Sequence, residues 1–187
     1  MPAYYEIRGT GDFRRAARRL KEAGNGQLTR RMSRGMRTAA KPAVDAAQRS
    51  VRSLEASATR GGGGQARREF ALGRKRKKTE TARRKAFEGR GLRSSTARAI
   101  GTQVRSSGQS ASVRVRVNTR QLPPDQRTLP AHMNEGRWRH PVFGGDRWVT
   151  QTVSRDEWFD EPMREHGPKI RQGAAKVVDD ILREIAQ

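Results

Sequence analysis

Two periodicities divide this chain: apolar residues recur every three or four positions in three long stretches and every second position in a short one. Phe13, Ala16, Ala17 and Leu20 follow at helical spacing behind Asp12, a residue type that caps helix starts, and Arg14, Arg15, Arg18 and Arg19 fall on the other side. Gly24 and Gly26 predict the end of that helix. A second helix is predicted from Gln27 to about Ala56, with the stripe Leu28, Met32, Met36, Ala39, Ala40, Ala43, Ala47, Val51 and Leu54. At roughly 45 Å it is too long for a small globule to bury, and Pro42 predicts a kink or restart. The strongest stripe runs from Pro168 to Ala186: Ile170, Ala174, Val177, Val178, Ile181, Leu182 and Ile185. Pro168 falls where a first-turn proline is harmless.

Strand signals are fewer. Tyr4 to Arg8 predicts a short strand closed by Gly9-Thr10-Gly11. Ser112 to Asn118, SVRVRVN, alternates Val113, Val115 and Val117 with Arg114 and Arg116, the pattern of a half-buried strand. Ser94 to Val104 is predicted helical, and Gln121 to Pro130 is a proline-rich loop. Beyond it, Trp138 to Phe143 and Arg147 to Val153 flank the turn signal Gly144-Gly145-Asp146, predicting a hairpin. The expected fold is α+β: long N-terminal helices and an amphipathic C-terminal helix packed on a small antiparallel sheet. Residues 1–57 and 94–187 are expected to form one module, interrupted at residues 58–93 by a basic, glycine- and arginine-rich flexible arm.

Composition changes that picture in one respect. Leu, Ile, Val and Phe make up 29 of 187 residues while the net charge is +22. Such poverty of large apolar side chains falls in the range where disorder is expected, so either part of the chain is unfolded alone or partners complete the core. The 41 Lys and Arg against 19 Asp and Glu point to anionic partners such as nucleic acid, acidic protein surfaces or a membrane, although 33 Arg to 8 Lys also fits a GC-rich genome. The charge is concentrated in the arm, where Gly61 to Gly64 is a linker signal and Arg74 to Lys78 reads RKRKK. Arg67, Arg68, Arg74, Lys75, Arg76, Lys77, Lys78, Arg83, Arg84 and Lys85 are the candidate contacts to DNA or an acidic partner.

Candidate chemistry is thin. There is no cysteine, hence no disulfide or thiolate metal site. His132, His140 and His166 lack helical metal-ligand spacing, and Gly61 to Gly64 lacks the Lys-Ser/Thr of a phosphate loop. Asp156, Glu157, Asp160 and Glu161 could bind a cation, but acids near a helix start suit its dipole, and Asp156 could cap the helix carrying Trp158 and Phe159. No enzyme, cofactor or metal is expected. There is no signal-peptide run and no stretch of about 18 apolar residues, so a protein soluble in a cytoplasm is expected.

The aromatic residues are unevenly placed: Trp138 to Phe159 holds all three tryptophans and two of the five phenylalanines. These rings are expected in the core, clamping strands to the last helix, with Trp138 or Phe143 near a subunit boundary. Trp138-Arg139-His140-Pro141-Val142-Phe143-Gly144, then Trp148-Val149-Thr150-Gln151, then Trp158-Phe159 ahead of an amphipathic helix, resembles the neck or tail-completion proteins of long-tailed bacteriophages, also labelled minor tail, head-tail connector or morphogenesis proteins. Two places depart from that pattern. Gly89-Arg90-Gly91-Leu92-Arg93 stands where members often carry Thr-Gly before Leu-Arg, and Arg155-Asp156-Glu157 where a proline commonly precedes the Trp-Phe pair.

The resemblance implies a structural virion protein that forms a homo-oligomeric ring, six-fold in expectation, at the head–tail neck. It implies a role in joining or completing the tail around the DNA channel. The partners it implies are identical subunits, neighbouring head-closure or connector proteins, tail-terminator or tail-tube proteins, and packaged DNA, with no membrane, after assembly in the bacterial host cytoplasm. Trp138, His140, Pro141, Val142, Phe143, Trp148, Val149, Trp158, Phe159, Ile170, Val177 and Ile181 are the expected core or interface residues. The alternative is a nucleic-acid-binding protein without sequence preference that uses the basic arm.

Overall fold

The computed structural model describes residues 4–8, 11–22, 26–58, 91–106, 111–141 and 148–186. They form an α+β fold in the order β1 (Tyr4–Arg8), α1 (Gly11–Glu22), α2 (Gly26–Ser53), β2 (Ala56–Ala58), α3 (Leu92–Ala99), β3 (Ile100–Ser106), β4 (Ala111–Val117), two 3-10 turns, α4 (Leu129–Asn134), β5 (Arg137–Pro141), β6 (Trp148–Val153) and α5 (Asp160–Ile185). Instead of one sheet there are two, each antiparallel with three strands: β1-β4-β3 and β2-β6-β5. None of the helices is long and apolar enough to cross a membrane among the described residues.

The first sheet follows from the valine alternation. Val113, Val115 and Val117 are buried, and Tyr5, Ile7, Thr102 and Val104 pair with them or flank them on the same face. On the opposite face Tyr4, Glu6, Gln103, Arg105, Arg114 and Arg116 share the other parity. Arg114 donates to Glu6 Oε2 at 2.8 Å across the strands, and its guanidinium lies 4.8 Å above the Tyr4 ring. Strand β3 corrects the expected helix over Ser94 to Val104. Helix α3 stops at Ala99, because Ile100, Thr102 and Val104 have the two-residue spacing that lets all three face the helices.

Helix α2 is the spine. It packs on α5, on α1 and α3, and across β3 and β4. It is one helix with Pro42 inside it, so it does not restart there. A proline removes one N–H from the ladder, and here Ala40 and Ala43 on either side are fully buried, so packing holds the turn in place. The length that looked excessive for burial is accommodated because only one face goes inside: Met32, Met36, Ala40, Ala43, Ala47, Ser50 and Val51.

Helix α5 starts at Asp160, eight residues before the expected proline-led start, and Pro168 lies inside it. It runs antiparallel to α2, since Gly35 faces Val177 while Ala39 faces Gly173. These small residues let the helices approach closely, as the thin alanine stripe of α2 requires. Next to Pro168, Gly167 lies against the Tyr5 ring of β1; a Cβ there would stand 2.5 Å from the Tyr5 hydroxyl. Arg31 and Glu184 close the far end of the helix pair with a 2.6 Å ion pair on the surface.

One continuous core joins these elements. It is larger than the 29 Leu, Ile, Val and Phe residues suggested, because alanine and methionine supply much of it. Ala16, Ala40, Ala43, Ala47 and Ala97 have no exposed surface, nor have Met32 and Met36. The described residues therefore enclose their own apolar interior. Both halves of the expected module, residues 1–57 and 94–187, contribute to it, whereas nearly all of the arm (59–90) lies outside the described residues.

Candidate assembly interface

The second sheet holds the hairpin on which the aromatic segment centres. In β5–β6, Trp138 stands opposite Gln151, Arg139 opposite Thr150, His140 opposite Val149 and Pro141 opposite Trp148. Parity then separates two tryptophans that composition alone treats alike. Trp138, Val149, Gln151 and Val153 share the face turned to the core, and Trp138 is 8% exposed. Arg137, Arg139, Trp148, Thr150 and Thr152 share the outer face, and Trp148 is 55% exposed. The Arg139 guanidinium lies 6.0 Å from the Trp148 ring centre, at the edge of cation–π range. Two expectations are thereby exchanged: Trp138, a candidate for the subunit boundary, is interior, and Trp148, expected to clamp the sheet to the last helix, faces outward.

The third tryptophan behaves as expected. Trp158 and Phe159 are completely buried, with ring centres 5.7 Å apart at 75°, an edge-to-face arrangement. Ile170 and Ile181 are buried along α5, and Val177 is half-buried against Gly35. Val149 is half-buried. Of the remaining candidates, His140 and Pro141 are placed by the backbone of β5. Val142 and Phe143, with Arg67, Arg68, Arg74, Lys75, Arg76, Lys77, Lys78, Arg83, Arg84 and Lys85, lie outside the described residues.

A brace missed by the sequence reading fixes the hairpin relative to α5. Asn134, at the end of α4, accepts from the Phe159 N–H at 2.9 Å and donates to Asp160 Oδ2 at 2.7 Å, while its carbonyl accepts from the Glu157 N–H at 2.8 Å. The cap of α5 is thus supplied from another element, in place of the expected Asp156. Asp156 instead lies against Gly136, whose φ of 82° turns the chain from α4 into β5; a Cβ on Gly136 would meet Asp156 Cβ at 2.7 Å. The Gly136 carbonyl then accepts from Val153 N–H at 2.9 Å, tying that turn to the end of β6. The Asn134-Glu135-Gly136 sequence is an ordinary helix-stop signal, and it was the available clue.

The acidic cluster is distributed among partners. Glu157 takes both Arg164 nitrogens, Glu161 pairs with Arg155, and Asp160 is held by Asn134. The hydrogen bond from Arg164 holds the Glu157 carboxyl below its ordinary range and raises Arg164 in turn. Among the described residues no three His, Asp or Glu side chains are gathered closely enough to hold a metal ion. No family model, curated protein or solved structure matches this chain.

What the geometry offers is an outward strand face with a large exposed ring, a guanidinium 6.0 Å from its centre and, among the described residues, an unpaired edge. Strand β5 is an edge strand, paired only with β6 among the described residues. Tryptophan and arginine together at an exposed site are the residue types that dominate protein–protein contacts.

Proposed function

We propose that this chain is a structural virion protein of a long-tailed bacteriophage, a subunit of a ring at the head–tail neck that joins or completes the tail around the DNA channel. The observation that carries the reading is Trp148, turned outward beside Arg139 on the outer face of the β5–β6 hairpin. In a chain with three tryptophans, two are interior and one is offered to the surface. The hairpin is also the segment whose motifs resemble neck and tail-completion proteins. An isolated exposed ring of this size gains its burial energy only when a neighbour covers it.

In the ring, the β2-β6-β5 sheet of one copy meets the adjacent copy, and repetition of that head-to-tail contact closes the circle. The core formed by α2, α5 and the first sheet is private to each subunit. Stability of the subunit and affinity of the ring are therefore separable quantities. The basic arm extends this role by contacting packaged DNA or acidic surfaces of the neighbouring neck and tail proteins.

Light scattering and negative-stain images of the purified protein at micromolar concentration test the reading. Rings of about six copies, lost in Trp148→Ala while the fold is retained, are the expected result. A monomer that binds DNA in a salt-sensitive manner and never associates would replace this reading with that of a free nucleic-acid-binding protein.

A further inference from the structure

The basic residues of α2 fall into two kinds. Some have acids to hold: Arg31 pairs with Glu184 of α5 at 2.6 Å, and Lys41 pairs at 2.6 Å with Asp45, the one acidic residue of the helix. Arg30, Arg34 and Arg37 differ. All three are exposed, and none makes an ion pair or a side-chain hydrogen bond with another described residue. Their spacing of i, i+4 and i+7 sets them in one row, away from the buried Met32, Met36 and Ala40. The inner side of α2 is held by α5, α1, α3 and the first sheet, so the row is carried by the folded body.

Three guanidinium groups in a row, with no acid paired to them, select an anionic surface, and their forked donors suit phosphate or carboxylate oxygens. The choice between these follows from what surrounds the row. Protein partners are gripped chiefly through large anchors such as tryptophan and tyrosine. Among the described residues the exposed large hydrophobics are Tyr4 and Trp148, and neither belongs to α2. A duplex backbone needs no such anchor, because counterion release supplies essentially all of its non-specific affinity. Helix α2 also lacks an aromatic residue on which an unpaired base could stack, which disfavours a single strand. Length agrees as well: Arg30 to Arg37 covers a rise of about 10 Å, matching about three nucleotides along one strand of a duplex.

We infer that the row Arg30, Arg34 and Arg37 binds the phosphate backbone of double-stranded DNA, making the outer face of α2 a DNA-binding surface distinct from the basic arm. Each arginine takes its own phosphate, and contacts of that kind position the duplex without selecting its sequence. The contact needs no ring, so it goes beyond the neck reading and stands without it.

Fluorescence anisotropy of the full chain with a labelled duplex of about 25 base pairs, of arbitrary sequence and across a salt series, tests it. Arg30→Gln/Arg34→Gln/Arg37→Gln leaves helix propensity nearly unchanged. It is expected to weaken binding about tenfold and to lower the salt slope by about two to three. Lys169→Gln/Arg171→Gln/Lys176→Gln removes the same charge from the exposed side of α5, where Glu165, Asp179 and Asp180 also lie, and is expected to weaken binding less than about threefold. Because the chain has no cysteine, Arg34→Cys takes a photocrosslinker at one position only, and it is expected to capture the duplex where Lys176→Cys does not. The inference is overturned if the α2 variant binds the duplex like the parent, if the α5 variant loses as much, or if both crosslinkers capture it equally. It is equally overturned if the α2 variant loses affinity for polyglutamate alone, which would assign the row to an acidic protein. Thermal melts confirm that each variant is folded. Rings that persist while duplex binding fails would overturn only this inference; duplex binding as expected without rings would overturn only the neck reading.

Discussion

Gly35 of α2 and Val177 of α5 meet so closely that a Cβ on Gly35 would stand 2.9 Å from both Val177 methyl carbons. Val177 is β-branched and has little rotamer freedom in a helix, so it cannot swing clear. Gly35→Ala is expected to destabilise the protein by about 1–2 kcal/mol, the overpacking cost outweighing the up to ~1 kcal/mol gained in helix propensity. Urea unfolding measures it. Val177→Ala in the same chain should recover most of the loss, and additive effects of the two changes would show that the contact is not the cause.

Asn134 ties the end of α4 to the start of α5 and the turn before it through one side chain and one carbonyl. Asn134→Ala removes the acceptor for the Phe159 N–H and the donor to Asp160, and is expected to cost about 1–2 kcal/mol, the range of a lost helix cap. Asn134→Asp keeps the acceptor but places a second carboxylate beside Asp160, so its deficit should shrink as pH falls through the carboxylate range. A deficit that does not vary with pH would rule out that repulsion.

The Glu157–Arg164 pair fixes the sign of one pH effect. Because the folded carboxyl titrates below its ordinary value of 4.5, the unfolded chain takes up the proton first as pH falls. The stabilisation is complete above about pH 4.5 and is lost below it. Glu157→Gln should therefore show a flatter acid limb in thermal melts below that pH, and an unchanged slope near neutrality. The pair is solvent-exposed, so added salt should shrink the difference.

The tryptophans allow a paired comparison. Trp158→Ala removes a fully buried ring and is expected to cost about 3–5 kcal/mol. Trp148→Ala should change the stability of a single subunit by no more than about 0.5 kcal/mol and act on self-association instead. Chemical unfolding and light scattering on the same samples separate the two. Equal loss of stability in both variants would place Trp148 in the core.

How much of this was legible depends on how local the signal is. Val113-Arg114-Val115-Arg116-Val117 declares a strand and its buried face by itself, and the stripe from Ile170 to Ile185 declares a helix. Ile100 to Val104 was hidden behind the helix-favouring Ser-Thr-Ala-Arg-Ala run, and only the pairing with β4 decides it. Pro42 read as a kink or restart and Pro168 as a first-turn proline because a sequence shows the missing N–H but not the packing that lets a helix continue past it. The outward turn of Trp148 was invisible for a different reason: hairpin register assigns faces, and register is set by pairing across the turn, for Trp148 with Pro141. The Gly35–Val177 contact joins residues remote in the chain, and no periodicity reports such a meeting.

Arg93 donates a hydrogen bond to the carbonyl of Leu54, and α3 packs on α2 at the same place. That bond holds Leu54 and Arg93 together, so the chain between them closes a loop in the sequence. Loop closure changes by only about 0.6 kcal/mol for each doubling of length, so changing the number of residues between Ala58 and Arg93 is expected to cost the fold little.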